Sequence, residues 1–200
     1  DAGSTLDIIA AVDAAVDEHL DGLHQWNRAL ICRDGSGTGG AIDQGCELPI
    51  EVWCLDDDEF DPDWVSMAEP LGVRCINAQE VAKSHPHPRL GGWELKPYAI
   101  LHSRFREVLF LDADNVRVTD PTYMFDSPAY QATGTVFWPD PEVFNTPLDS
   151  PLWAVFGAQP QISPDQESGQ LLIDKSRCWK SLELCNWYNQ HSDFYYRHVY

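Results

Sequence analysis

Positive charge is scarce in this chain: 13 Lys and Arg stand against 32 Asp and Glu, giving a formal net charge of −19. Such a surface repels phosphate backbones and anionic membranes, which argues against nucleic-acid binding and leaves any anionic substrate in need of a mediating cation. Long apolar runs are missing too. None nears the roughly 18 residues that mark a membrane span, so no membrane span is expected. The first residues also lack the basic region and apolar core of a secretory leader, and the sequence as given reads as a soluble domain. Cys32, Cys46, Cys54, Cys75, Cys178 and Cys185 form no C-x-x-C pair and no zinc-like spacing with the seven histidines, which argues against structural zinc. The segment 35–45 holds five glycines in eleven residues, yet it matches neither the P-loop pattern nor the dinucleotide fingerprint, so it is not read as a phosphate cradle.

What is abundant is core-forming material: 44% apolar residues, with 8 Trp, 8 Phe and 7 Tyr. That suffices for one domain with a sizeable core. Ser4 as an N-cap, followed by Leu6, Ile9, Val12, Val16, Leu20 and Leu23 at helical spacing, predicts a helix over about 5–24. This N-terminal helix, residues 1–25, precedes a domain spanning 26–200. Short β-rich runs at 28–32, 50–55, 73–76 and 107–111 predict buried strands, with a helix over 93–105 before the fourth. Downstream, a Pro-rich aromatic segment carries a strand near 133–138. It is followed by a strand at 169–174 and a helix over 176–190. Alternating strands and helices predict an α/β sandwich around a mostly parallel sheet.

Three Asp-x-Asp pairs occur, at Asp56/Asp58, Asp61/Asp63 and Asp112/Asp114. The first two lie in an acidic run that reads as a solvated loop. The third ends the apolar run Val108-Leu109-Phe110-Leu111, and the C-terminal ends of strands are where open α/β sheets place ligands. A calcium loop starting at Asp112 would need Gly at 117 and Glu at 123, where the chain has Arg117 and Tyr123. Two enzymatic readings remain. In a haloacid-dehalogenase-type phosphatase, Asp112 would be the nucleophile and Asp114 the acid/base. In a GT-A glycosyltransferase, both would hold a divalent ion on a sugar-diphosphate, since hard carboxylate oxygens suit Mg²⁺ or Mn²⁺. His85-Pro86-His87-Pro88 is a weaker metal candidate, set against the more ordinary reading of a solvated Pro-rich loop.

Six ordered blocks carry a family resemblance: Leu48-Pro49-Ile50-Glu51-Val52-Trp53, Leu95-Lys96-Pro97-Tyr98, Leu111-Asp112-Ala113-Asp114-Asn115, Thr119-Asp120-Pro121, Phe137-Trp138-Pro139-Asp140 and Glu167-Ser168-Gly169-Gln170. Together they resemble the α-mannosyltransferases of the fungal outer-chain type, over about residues 28–196. The resemblance implies a Rossmann-like GT-A (nucleotide-diphospho-sugar transferase) fold and a metal-dependent, retaining transfer of α-mannose from GDP-mannose to a glycan hydroxyl. By that resemblance Asp112 and Asp114 are ligands of Mn²⁺ (or Mg²⁺), and Lys96, Asp112, Asp114 and Ser168 bind the donor. Glu167 and Asp140 are the candidate catalytic carboxylates. The resemblance further implies that the domain continues past Tyr200 with another metal ligand, and that the protein works in a secretory-pathway lumen such as the Golgi, although a cytoplasmic location is equally open. A non-catalytic glycan-binding domain is the third functional class.

Overall fold

The computed structural model describes residues 28–33, 48–56, 62–112, 115, 119–143 and 146–198, with the first of these segments described as backbone only. The helix expected over 5–24, the Gly-rich segment 35–45 and Asp114 lie outside them. Six strands form one sheet: β1 (Arg28–Arg33), β2 (Ile50–Cys54), β3 (Val73–Asn77), β4 (Glu107–Leu111), β5 (Thr135–Val143) and β6 (Pro164–Asp174), in the order β3-β2-β1-β4-β6-β5. The pairs β3–β2, β2–β1 and β1–β4 are parallel, whereas β4–β6 and β6–β5 are antiparallel. The sheet is thus parallel over four strands and antiparallel at one edge.

Helices α1 (Pro62–Ala68), α2 (Ala78–Ala82), α3 (Leu95–His102), α4 (Pro128–Thr133), α5 (Leu152–Val155), α6 (Lys175–Gln190) and α7 (Ser192–His198) complete the described architecture. The two faces of the sheet are sorted by the period-2 alternation of the strands. Val108 and Phe110 of β4, with Leu171 and Ile173 of β6, pack under α3 and under Trp179 and Leu182 of α6. Leu109, Leu111 and Leu172 face the other way, against Phe125 and Tyr130. All five residues of β2 and all five of β4 are buried, as expected of strands covered on both faces.

Predicted and observed elements differ mainly downstream of β4. The strand expected to end near 138 runs to Val143, through Pro139 and Pro141. It can do so because β5 is an edge strand, where a missing N–H costs no ladder bond. β6 likewise begins at Pro164, five residues earlier than its apolar pattern shows, because that outer half is only partly buried. The short helices α1, α2, α4, α5 and α7 were not anticipated; α2 and α4 start on capping side chains, Asn77 accepting from Glu80 N and Ser127 from Tyr130 N.

Candidate active site

β1 lies between β2 and β4: the chain runs from β1 through β2 to β3 on one side and then crosses back from β3 to β4 on the other. That reversal is the topological switch point at which open α/β sheets bind ligands, beyond the C-terminal ends of the strands. Asp112 is the first residue past β4 at this edge. Because β6 is antiparallel to β4, its N-terminal half arrives at the same edge, and Asp112 N–H donates to Gly169 O at 2.8 Å, extending the ladder beyond Leu111–Gln170.

At this point β6 loses its register with β5. Phe137 pairs with Leu171, but the next residue, Trp138, pairs with Glu167, so Ser168, Gly169 and Gln170 stand outside that ladder. The irregularity frees Ser168 to meet Lys96 of α3. Lys96 Nζ donates to Asp112 Oδ2 at 2.5 Å, to Ser168 Oγ at 3.1 Å and to Ser168 O at 3.4 Å. The Trp93 ring lies 4.7 Å from the same ammonium, a cation–π contact that helps hold a lysine only 5% exposed. Packing and hydrogen bonds, not chain connectivity, keep this charge at the edge of the sheet.

Asp112 itself is divided between two tasks. Oδ2 is engaged by Lys96, while Oδ1 is buried with no hydrogen-bond partner among the described residues. A buried carboxylate oxygen without a donor is costly, and such an oxygen is a standing acceptor for a cation or a proton donor. Asp112 therefore fits the role of a hard-cation ligand. Among the described residues no cluster of three or more His, Cys, Asp or Glu could hold a metal.

Glu167 Oε1 accepts the Gly169 N–H at 2.6 Å, which fixes the carboxylate against its own strand. Asn115 Nδ2 donates to Gly169 O at 3.1 Å, and Asn115 N–H to Asp112 O at 3.1 Å, so the turn after β4 is pinned to β6. Gly169 is the hinge of this arrangement. A Cβ there would meet Glu167 Oε1 at 3.0 Å, Asn115 Nδ2 at 3.1 Å and Asp112 Oδ2 at 3.5 Å. Two carboxylates and an amide thus converge on a position that a Cβ could take only if the Glu167 and Asn115 side chains gave way by a few tenths of an ångström. Sequence reading assigned roles to neither Gly169 nor Asn115. A lone glycine inside an apolar strand pattern was the available signal for a close approach.

The structure brings together Lys96, Asp112, Ser168 and Glu167. Asp140 sits half-buried on the edge strand β5, and the contacts that join those four residues do not include it. His85 and His87 are engaged with rings: His85 stacks on His102 at 4.5 Å, and His87 meets Tyr98 edge-on at 5.4 Å. Burial pushes the His87 imidazole below its ordinary pKa, with Glu94 acting weakly in the other direction.

Beyond Lys96 and Ser168 a cleft of about 730 Å³ opens between α3, β5, β6, α6 and α7. Lys96 and Ser168 belong to its wall, so cleft and carboxylate site are continuous.

The fold is that of the GT-A glycosyltransferases. The solved structure of the glycosyltransferase GlyE of Streptococcus pneumoniae TIGR4 is similar in fold at 14% identity, with a TM-score of 0.50 over 87% of this chain and 40% of that one. Residues 42–152 match the family model described as "Mannosyltransferase putative", and the chain belongs to that family. Among curated relatives, the α-1,2-mannosyltransferase MNN21 of Candida albicans is 29% identical over 88% of this chain, and MNN5 of Saccharomyces cerevisiae is 27% identical over 77%. The chain spans about a third of each of these relatives, 35% in both cases. The family match contains Lys96 and Asp112 and ends before Glu167 and Ser168, which come to the site through the fold of β6.

Proposed function

We propose that this chain carries the donor site of a metal-dependent, retaining α-mannosyltransferase that moves mannose from GDP-mannose to a glycan hydroxyl. The observation that carries the reading is Asp112: a carboxylate at the switch point, with one oxygen on Lys96 and the other buried and unpartnered. Asp112, together with Asp114, would hold the divalent cation. When bound, that cation supplies Lewis-acid stabilisation for the negative charge that grows on a leaving diphosphate.

The chain's own groups have separable tasks. Lys96 holds the Asp112 carboxylate in place and brings positive charge to an edge where a chain of net charge −19 would otherwise repel an anionic donor. Ser168 keeps the ammonium oriented through two oxygens. Glu167, with Oε1 spent on Gly169 N–H, keeps Oε2 for the reacting centre. It serves either as the carboxylate that attacks the anomeric carbon or as the group that orients an acceptor entering on the leaving-group side. Asp140 remains a candidate for the same centre from the β5 side.

The test is calorimetric titration of GDP-mannose with and without Mn²⁺, with UDP-glucose as comparator. Mn²⁺-dependent binding of GDP-mannose that disappears in Asp112→Asn is expected. Absence of nucleotide binding under every metal condition sinks the transferase reading. Hydrolysis of p-nitrophenyl phosphate that vanishes in the same variant would favour the phosphatase instead. Acceptor binding with no GDP release in the presence of donor would mark a non-catalytic glycan-binding domain.

A further inference from the structure

Trp93 stands three residues before Lys96, in the 3₁₀ turn Gly92–Glu94 that runs directly into α3. Residues three apart on such a turn lie one above the other, so the spacing carries the indole over the ammonium. The turn forms there because Gly92 takes φ +51°, a conformation in which a side chain would be strained, and Glu94 N–H closes it on Gly91 O at 3.0 Å. The ring is 69% exposed and belongs to neither of the hydrophobic clusters that cover the sheet. An aromatic side chain left so far in water contributes little to the core, yet its face lies 4.7 Å from the Lys96 ammonium.

The segment around Trp93 is also tied down. Ser192 Oγ, at the start of α7, donates to Glu94 Oε1 at 3.0 Å, and Asp193 pairs with Arg89. These two contacts straddle Trp93, one residue after it and four before it. Helix α7 follows α6, and Trp179 and Leu182 of α6 share one hydrophobic cluster with Leu95 and Tyr98 of α3. The strap thus joins the segment that carries the ring to the frame that already holds Lys96. A lysine has a flexible four-carbon stem, and every contact that restrains it before a ligand arrives removes an ordering cost from binding.

We propose that Trp93 is a positioning residue for the donor site: it acts through Lys96, keeping the ammonium on Asp112 and Ser168 in the ligand-free protein, while the strap from α7 keeps the ring in place. Its effect on the donor rests on the proposed mannosyltransferase reading; its hold on Lys96 does not. Because the contact exists before the donor binds, its loss falls on KM rather than on kcat.

The test compares Trp93→Phe and Trp93→Leu, with Arg89→Ala and Ser192→Ala combined to cut the strap. One readout is acetylation of Lys96 by sulfo-N-hydroxysuccinimidyl acetate, mapped peptide by peptide with no ligand present. The other is KM and kcat for GDP-mannose with Mn²⁺. Trp93→Leu keeps apolar bulk without an aromatic face, and is expected to speed Lys96 acetylation about fivefold and raise KM about tenfold, with kcat within about twofold of the parent. Trp93→Phe keeps a face and should rescue most of both effects. Cutting the strap should speed acetylation in the parent and add nothing in Trp93→Leu, as groups acting through one another are not additive. Each variant should melt close to the parent, since the ring lies outside both clusters.

Unchanged Lys96 acetylation in Trp93→Leu overturns the proposal. A higher KM without faster acetylation does so too, because the ring would then touch the donor directly, and a fall in kcat at unchanged KM would place it in the chemistry instead. Equal losses in the Phe and Leu variants remove the cation–π basis. A parent that neither binds nor turns over GDP-mannose ends the transferase reading, and acetylation alone then upholds or overturns the hold of Trp93 on Lys96.

Discussion

In the proposed donor site Asp112 carries the most weight, because its two oxygens meet different environments. Replacement by Asn keeps the shape and the reach to Lys96 but removes the charge. Transfer activity is expected to fall roughly 10²–10³-fold, the scale on which losing one electrostatic contact to a developing charge is felt. Tm is expected to fall as well, since the buried Lys96 ammonium loses its counter-charge; Mn²⁺-dependent donor binding, measured at a temperature where the variant is folded, separates the two effects, and binding unchanged from the parent would mean that the residue is structural. Gly169→Ala tests the convergence of side chains on β6. Its methyl would stand 3.0 Å from Glu167 Oε1 and 3.1 Å from Asn115 Nδ2, both ends of movable side chains. Circular dichroism melts should therefore change little, while kcat falls as Glu167 is displaced. Unchanged kcat would show that Glu167 has no part in the reacting centre. The aspartate pair was legible as a candidate from residue type and strand position, and Lys96 through the family resemblance. Asn115 and Gly169 were not, because their roles are contacts made across 54 residues of sequence.

The element that most depends on a single contact is α3. Its C-terminal end is closed by Lys175, the first residue of α6, whose Nζ donates to Leu101 O at 3.1 Å, Ser103 O at 2.6 Å and Ser103 Oγ at 3.0 Å. A cation at the negative end of a helix is favourable, and it satisfies carbonyls that the helix leaves open. Burial nevertheless pushes the Lys175 pKa from 10.5 down to about 7, opposed by the Glu51 carboxylate. The sign of the stability effect follows directly. Between about pH 7 and 10.5 the unfolded chain holds a proton that the folded one has released, so this group's contribution rises with pH and is lost as pH falls through 7. Denaturant melts of the parent and Lys175→Met at pH 7 and pH 9 should show the parent gaining on the variant at the higher pH. A constant difference would mean that the three oxygens keep the ammonium protonated throughout. At pH 7 the variant is expected to lose on the order of 3 kcal/mol, because buried oxygens are left without their donor, and at pH 9 more than that. Helix α6 was visible in the sequence through Trp179, Leu182 and its neighbours. Its lysine cap was not, since a lysine beside Asp174 reads as surface charge until α3 is packed against it.

For the molecule as a whole, the excess of acid is a uniform field rather than a site. Self-repulsion in a chain of net charge −19 is screened by salt. Raising NaCl from about 0.01 M to 0.1 M, which shortens the screening length from about 30 Å to about 10 Å, is expected to raise Tm by a few degrees in scanning calorimetry. A Tm that falls would instead mark ion pairs such as Arg74–Glu51 as the dominant electrostatic contribution. Local pattern was enough to place β1 to β4, α3 and α6, because buried parallel strands and their covering helices are written in short apolar runs. It was enough, too, to single out the aspartate that ends β4. It could not show that β6 runs antiparallel to β4, that its register breaks at Ser168, or that Glu167 and Lys96 flank the same carboxylate. Those facts depend on which strand edge remains open once β1, β2 and β3 have taken the other side of the sheet. They also depend on packing α3 and α6 against one face, a many-body constraint that no window of sequence contains.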